Sequence, residues 1–454
     1  MIEREHQRAE GRPRHRQGIG LLSSLAAVAL LLAACGSSGG PKTSSTSSSP
    51  PGSSGSSSSS AAPATSGGAV NYGVLSCFTG RLASLGEAML QGSQVAEAAI
   101  NSHGGVLGKQ LKLYHADTGC DEADSVPALH QLLAADNVSG IIGPETQEIA
   151  AVKPIVTAAK IPDEFQGGST LFNTNTDQYL WRDSPSDTQL SVAMALYGHK
   201  QGYTKAALLF YSEIAAQTFK APIVATWKKL GGSIVADVTV APDQTSYLSE
   251  VQKVINAHPQ VIFTQTDAPT AAVMFQNFKQ LDNLAIPFIG SDVTGGSEYL
   301  KAITFPVAQK HLTSVYGTSY TGQGATVWNN LFAQKFGKSA IPIANANYAY
   351  DAVVSLALAM DRAGTTSGPA VIKVMKDVTN PPGPQCYSYS QCLGMLKAGK
   401  KQVDYQGASG DLNYNKYNNV FGPYGAFKAN LQGQESQVTL LTAPELAKAT
   451  PSSS

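Results

Sequence analysis

Residues 71–106 read NYGVLSCFTGRLASLGEAMLQGSQVAEAAINSHGGV, and this stretch decides the fold. Residues 72–77 are a short apolar run that predicts a buried strand, and Thr79-Gly80 supplies a turn. Leu85, Ala88, Met89, Val95, Ala96, Ala99 and Ile100 then recur at helical spacing over 85–101, until Gly104-Gly105 stops the helix. Working outward, 110–115 alternates as a strand, a helical pattern runs to 135, and 140–143 reads as a further strand. The unit is βαβαβ. It repeats downstream: a helix over 149–159, a strand at 205–210, a helix over 215–230, then 233–240, 244–257, 261–265, 270–281 and a short strand at 287–290. Such alternation predicts an α/β fold with parallel sheets covered on both faces. Ligands in such sheets sit beyond the carboxyl ends of the strands, here the loops 76–81, 143–148 and 210–216. No solenoid period is present.

Composition narrows the function. The chain has 454 residues, 43% apolar and 14% charged, enough for a large core and, by length, roughly two to four domains. Lys+Arg 32 balances Asp+Glu 32, without the basic excess of a nucleic-acid binder. The N-terminus is different in kind. Arg4, Arg8, Arg12, Arg14 and Arg16 precede an apolar run over 19–34, too short for a membrane span and shaped like an export signal. It closes on Leu32-Ala33-Ala34-Cys35, which resembles the lipobox of bacterial lipoproteins, where Cys35 would carry a diacylglyceryl group. A signal peptide over 1–34 is thus expected, with a true start downstream of Met1. Residues 36–68 are almost entirely Ser, Gly, Pro, Thr and Ala, a disordered leash with a root-mean-square span of about 30 Å.

No enzyme motif survives its context. Asp121-Glu122-Ala123-Asp124 lacks the upstream phosphate-binding loop that a helicase requires, and Gly36-Ser37-Ser38-Gly39-Gly40 matches an esterase elbow only within low-complexity sequence. His103, His115, His130, His199, His258 and His311 are scattered without a nucleophile nearby. The chain reads as no enzyme, with no cofactor and no metal.

The order of short motifs along the body resembles the branched-chain amino-acid binding proteins, the periplasmic-binding-protein-like receptors of ABC importers. The resemblance is carried by 71–80, by Ala-Ile-Asn then Gly-Gly-Val within 86–106, by Asp117 and Asp121, and by Ile141-Ile142-Gly143-Pro144. It continues at Trp181-Arg182-Asp183-Ser184-Pro185-Ser186-Asp187, Phe288-Ile289-Gly290-Ser291-Asp292, Tyr348-Ala349-Tyr350-Asp351-Ala352 and 407–412. It implies two doubly wound lobes closing on a ligand, with crossings near 182–187, 316–320 and 405–410. Lobe 1 would hold 69–186 and 318–405, lobe 2 would hold 187–317 and 406–442, and 443–454 would be a disordered tail.

The resemblance also implies site residues. Thr146 and Gln147, with Gly168, Ser169 and Thr170, match the positions that hold a ligand carboxylate. Asp292 would pair an ammonium or serve as a solvated turn residue; Gln265, Thr266 and Glu213 are either cleft contacts or caps. Glu145, beside the carboxylate position, and Ala215, where many members place an aromatic, depart from the pattern and favour more positive or amide character than leucine. Cys77 and Cys120 follow the first and second strands and can pair, and Cys386 and Cys392 bracket a short loop, with zinc as the alternative. The expected protein is a monomeric, lipid-anchored, extracytoplasmic receptor that hands a small polar solute to ABC permease subunits. A sensing subunit of the same fold is the second reading, and an exported hydrolase the third.

Overall fold

The computed structural model describes residues 68–80, 82–317 and 322–451. The export signal, Cys35, the Ser/Gly leash and most of the crossing at 316–320 lie outside the described residues. Two sheets organise the body. The first contains β1 (Val70–Ser76), β2 (Leu111–Asp117), β3 (Gly140–Ile142), β4 (Asp163–Phe165) and β5 (Leu180–Arg182), all parallel, in the order β2-β1-β3-β4-β5. The second contains β6 (Lys205–Tyr211), β7 (Ser233–Val240), β8 (Val261–Gln265), β9 (Phe288–Gly290) and β10 (Leu312–Gly317). After the small ribbon of β11 (Gln385–Cys386) and β12 (Asp404–Tyr405), β13 (Tyr424–Ala429) and β14 (Glu435–Leu441) join the second sheet. Its order is β14-β13-β10-β9-β8-β6-β7. The run β7-β6-β8-β9-β10 repeats the first sheet's order in parallel strands, and β13 and β14 add an antiparallel edge.

Strand character follows from burial on both faces. Tyr72, Val74 and Leu75 of β1 are all fully buried, and β6 runs apolar from Ala206 to Tyr211. The first four helices are α1 (Ala83–Asn101), α2 (Glu122–Ala134), α3 (Ile149–Ala159) and α4 (Asp187–Lys200), of which α1 and α4 reach the cleft. Gly92 of α1 is required by packing, because a Cβ there would collide with the carbonyl of Ala346 at the start of the long helix Ala346–Ala363. Asp121 caps α2 by accepting from Ala123 N at 2.7 Å. The first lobe packs one core cluster on each side of its sheet, around Tyr72 and around Leu75, while the second lobe has a single core around β6, β8 and α4.

Three expectations are corrected. The helix over 215–230 is two helices, Ile214–Gln217 and Lys220–Lys229, because Pro222 fits a first turn but would clash with a carbonyl four residues back in a continuous helix. The tail at 443–454 contains the helix Ala443–Ala449, started by a capping box between Thr442 and Glu445, with Leu446 and Ala449 buried. The crossing placed at 405–410 lies later. Tyr405, Ala408 and Ser409 all donate to Asp351 of the helix Ala346–Ala363, and Leu412, Tyr414 and Val420 remain in the first lobe's core. The chain therefore passes to the second sheet between Val420 and Tyr424, and lobe 2 does not begin at 406.

Candidate functional site

Both sheets present the carboxyl ends of central strands to one cleft, since residues at the ends of β3, β4, β8, β9 and β10 line the same cavity. The cleft holds a cavity of about 80 Å³. At roughly 10–15 Å³ for one water, that is room for a few waters or a small solute.

From the first lobe, the turn after β3 brings in Glu145, Thr146 and Gln147. Gly143 opens this turn at φ +98°, where a Cβ would collide with Leu75 O, so the loop crosses the end of β1 as no other residue would allow. Behind it, Thr118 Oγ1 donates to Glu148 at 2.7 Å, and the Cys77–Cys120 disulfide ties the loop after β1 to the loop after β2. The second disulfide joins Cys386 to Cys392, so both pairs are those anticipated from the sequence. Among the described residues, the only cluster with metal-ligand spacing is Cys77, Cys120 and Glu148, and both of its sulfurs are disulfide-bonded.

The loop after β4 contributes Gln166 and Gly168. Arg182, almost fully buried, braces it by donating to Gly168 O at 3.3 Å, Ser169 O at 3.0 Å and Asn173 Oδ1 at 2.7 Å; burial pushes its guanidinium down to about 10. Asp187, at the crossing into α4, lies so close to Gly168 that a Cβ there would overlap Oδ1, and its Oδ2 accepts from Thr218 Oγ1 at 2.6 Å. The second lobe supplies Gln265 at the end of β8, Asp292 after β9, Gly317 at the end of β10 and Tyr424 at the start of β13. Asp292 accepts from Asn345 Nδ2 at 3.0 Å, a bond that crosses from one lobe to the other. Tyr348, one turn beyond Asn345, completes the wall.

The electrostatics are one-sided. Burial, then repulsion from Glu148, Asp292 and Asp187, pushes the Glu145 carboxyl up to about 8. Asp187 is pushed up to about 7, mainly by burial, with the Thr218 bond pulling it back. Asp292 is raised by burial and restrained by its bond from Asn345. Among the described residues, no Lys, Arg or His lines the cavity.

Of the residues singled out in the sequence, Thr146, Gln147, Gly168, Gln265 and Asp292 line the cavity together. Three do not. Ser169 caps the short turn Thr170–Phe172, its Oγ accepting from Leu171 N at 3.3 Å, and Thr170 faces a shallow hollow shared with Thr188. Glu213 is exposed at the start of the helix Ile214–Gln217 and makes no side-chain cap bond there. Thr266 is buried against Tyr299. Sequence reasoning missed Gln166, Asp187, Asn345, Tyr348 and Tyr424. Asp187 and Tyr348 sat inside quoted motifs, so the signal was present without a direction for either side chain.

Two α/β lobes of matching strand order thus open on a shared cleft lined by side chains from both. Residues 69–388 match the periplasmic binding protein family, and the chain belongs to that family. The Leu/Ile/Val-binding protein BraC3 of Rhizobium johnstonii is 23% identical over 326 residues, covering 68% of this chain and 83% of that protein. The leucine-binding protein LivK of Thermotoga maritima superposes with a TM-score of 0.70 at 17% identity, covering 83% of this chain and 99% of the other. An ABC-transporter solute-binding protein from R. palustris, in complex with benzoate, gives 0.67 at 16% identity, covering 83% and 97%. The fold is the type I periplasmic-binding-protein fold of ABC-transporter receptors. Within it, ligand chemistry differs from protein to protein.

Proposed function

We propose that this chain is the extracytoplasmic receptor of a branched-chain-amino-acid-type ABC importer, anchored to the membrane through lipid on Cys35. It captures a small polar solute, an amino acid or a related amide or amine, and presents it to permease subunits. The observation that carries this reading is the cavity itself, lined by Glu145, Gly168 and Tyr348 from one lobe and by Gln265, Asp292 and Tyr424 from the other. A solute touching both walls binds the closed arrangement better than the open one and shifts the population accordingly. The Asn345–Asp292 bond joins the two lobes beside the bound solute. No chemistry is required of any of these groups.

The test is thermal denaturation of the full chain, stripped of co-purified solute, against amino acids, amides, amines and small carboxylates. A solute at a hundred times its dissociation constant adds about 2.7 kcal/mol. Loss of that gain in Asp292→Ala supports the cleft as the site; an unchanged gain places the solute elsewhere. The anchor is tested separately, by mass spectrometry of the mature N-terminus in the wild type and in Cys35→Ser.

A further inference from the structure

The proposed capture site says which kind of solute it takes, and this deepening rests on the reading of the cleft as the ligand site. Glu145, Asp187 and Asp292 come from three separate loops and meet in one cavity. Among the described residues, two acceptors there have no partner. Glu145 is nine-tenths buried, and no described residue hydrogen-bonds its carboxylate. Gln265 is 3% exposed, and its Oε1 accepts from no described residue. Buried acceptors are rarely left empty, so both call for donors brought by the occupant.

An α-amino acid would bring its own carboxylate to the Thr146-Gln147 turn, next to Glu145. A second carboxylate there meets no described cation and obliges Glu145 to keep a proton, whereas a cation lets Glu145 ionise and pair with it. The wider recess beside the cavity, about 590 Å³, shares Gly317 and Asn345 with it and carries the same sign: Glu87, Glu298 and Glu435 against Lys301. A longer occupant would therefore extend from one acidic compartment into another.

We propose that the solute is a small organic cation, an amine or amidine without a carboxylate, whose donors are held by Glu145, Asp187, Asp292 and the Gln265 carbonyl oxygen. A compact ammonium head suits the small inner cavity, and its chain or second charge suits the recess.

Matched pairs that differ only by the carboxylate test this directly: 1,5-diaminopentane against lysine, agmatine against arginine, and 3-methylbutylamine against leucine. Calorimetric titration of the stripped full chain is expected to show at least one amine binding tenfold or more tighter than its carboxylated partner. Glu145→Gln should cut that ratio at least fivefold, and Asp292→Asn should weaken the same amine, giving a second variant if the first does not fold. Tighter binding of the amino acid in every pair overturns the inference and leaves the receptor reading intact. The same holds if only neutral amides or carboxylates bind, or if the ratio is unmoved in both variants. Silence from all probes, with no small molecule released on denaturing the natively purified chain, overturns the receptor reading as well.

Discussion

Two fully or nearly buried carboxylates in the first lobe are treated in opposite ways. Asp351 sits under the loop 405–409 and accepts four hydrogen bonds, from Tyr405 Oη at 2.8 Å, Ala408 N at 2.8 Å, Ser409 N at 2.7 Å and Ser409 Oγ at 2.6 Å. Glu145 faces the cleft and accepts none from any described residue. Burial raises both, but those bonds hold Asp351 to about 6, whereas repulsion from neighbouring carboxylates takes Glu145 to about 8. A buried charge whose bonds are complete serves the fold. The Glu145 carboxylate instead faces the cavity, where donors have to come from an occupant or from water.

The comparison can be broken most sharply at Asp351. Asp351→Ala leaves two backbone amides and two hydroxyls unpaired and should lower stability by about 3 kcal/mol or more, read as a fall in the urea midpoint. A loss below about 1 kcal/mol would mean that water replaces the carboxylate and that the contrast with Glu145 is empty. Glu145→Gln is the counterpart: no hydrogen bond is lost and repulsion from Asp187 and Asp292 is relieved, so the unliganded chain should gain about 1 kcal/mol in the same assay. Destabilisation there would show that the group is structural.

Acidity sharpens the same contrast. The Glu145 carboxyl titrates near 8 in the folded chain against an ordinary value of 4.5, so between those values the folded state holds a proton that the unfolded state has released. Unfolding free energy of the unliganded protein therefore falls as pH rises from about 4.5 to about 8. The groups facing Glu145 are Glu148, Asp292 and Asp187. Glu164, bonded by Ser355 and Tyr414 and raised to about 8, adds to the same trend, so Glu145→Gln should flatten the slope without abolishing it. Melting curves from pH 5 to 8 decide this, and an identical slope in both proteins would remove Glu145 from the account. The smallest effect belongs to the surface. Lys200 and Glu445 pair at 2.6 Å with both side chains more than a third exposed or nearly so, and Lys200→Ala should change stability by less than about 0.5 kcal/mol.

How much was legible depended on whether the signal was local. The strand-helix alternation placed every parallel strand from β1 to β3 and from β6 to β9 within two residues of the ends read from the sequence. Two misses were legible in principle: Pro222 marks a helix start, and Thr442-Ala443-Pro444-Glu445 spells a capping box. The third crossing was not legible, because what holds 405–409 to the first lobe is Asp351, more than fifty residues away.

Site residues divide along the same line. Thr146, Gln147, Gly168, Gln265 and Asp292 all lie in loops just beyond the carboxyl ends of parallel strands, the end of a sheet at which ligands gather. Whether Ser169 turns to cap its own backbone, or Asp187 turns under Gly168 to meet Thr218, depends on contacts between distant segments. By itself the sequence determined the class of fold and placed the cysteines where two pairs could form, because the alternation of strand and helix is written in local periodicity. Only the tertiary structure decided that three carboxylates share one cavity with no described cation, because the sign of a buried field is the sum over groups that only folding brings together.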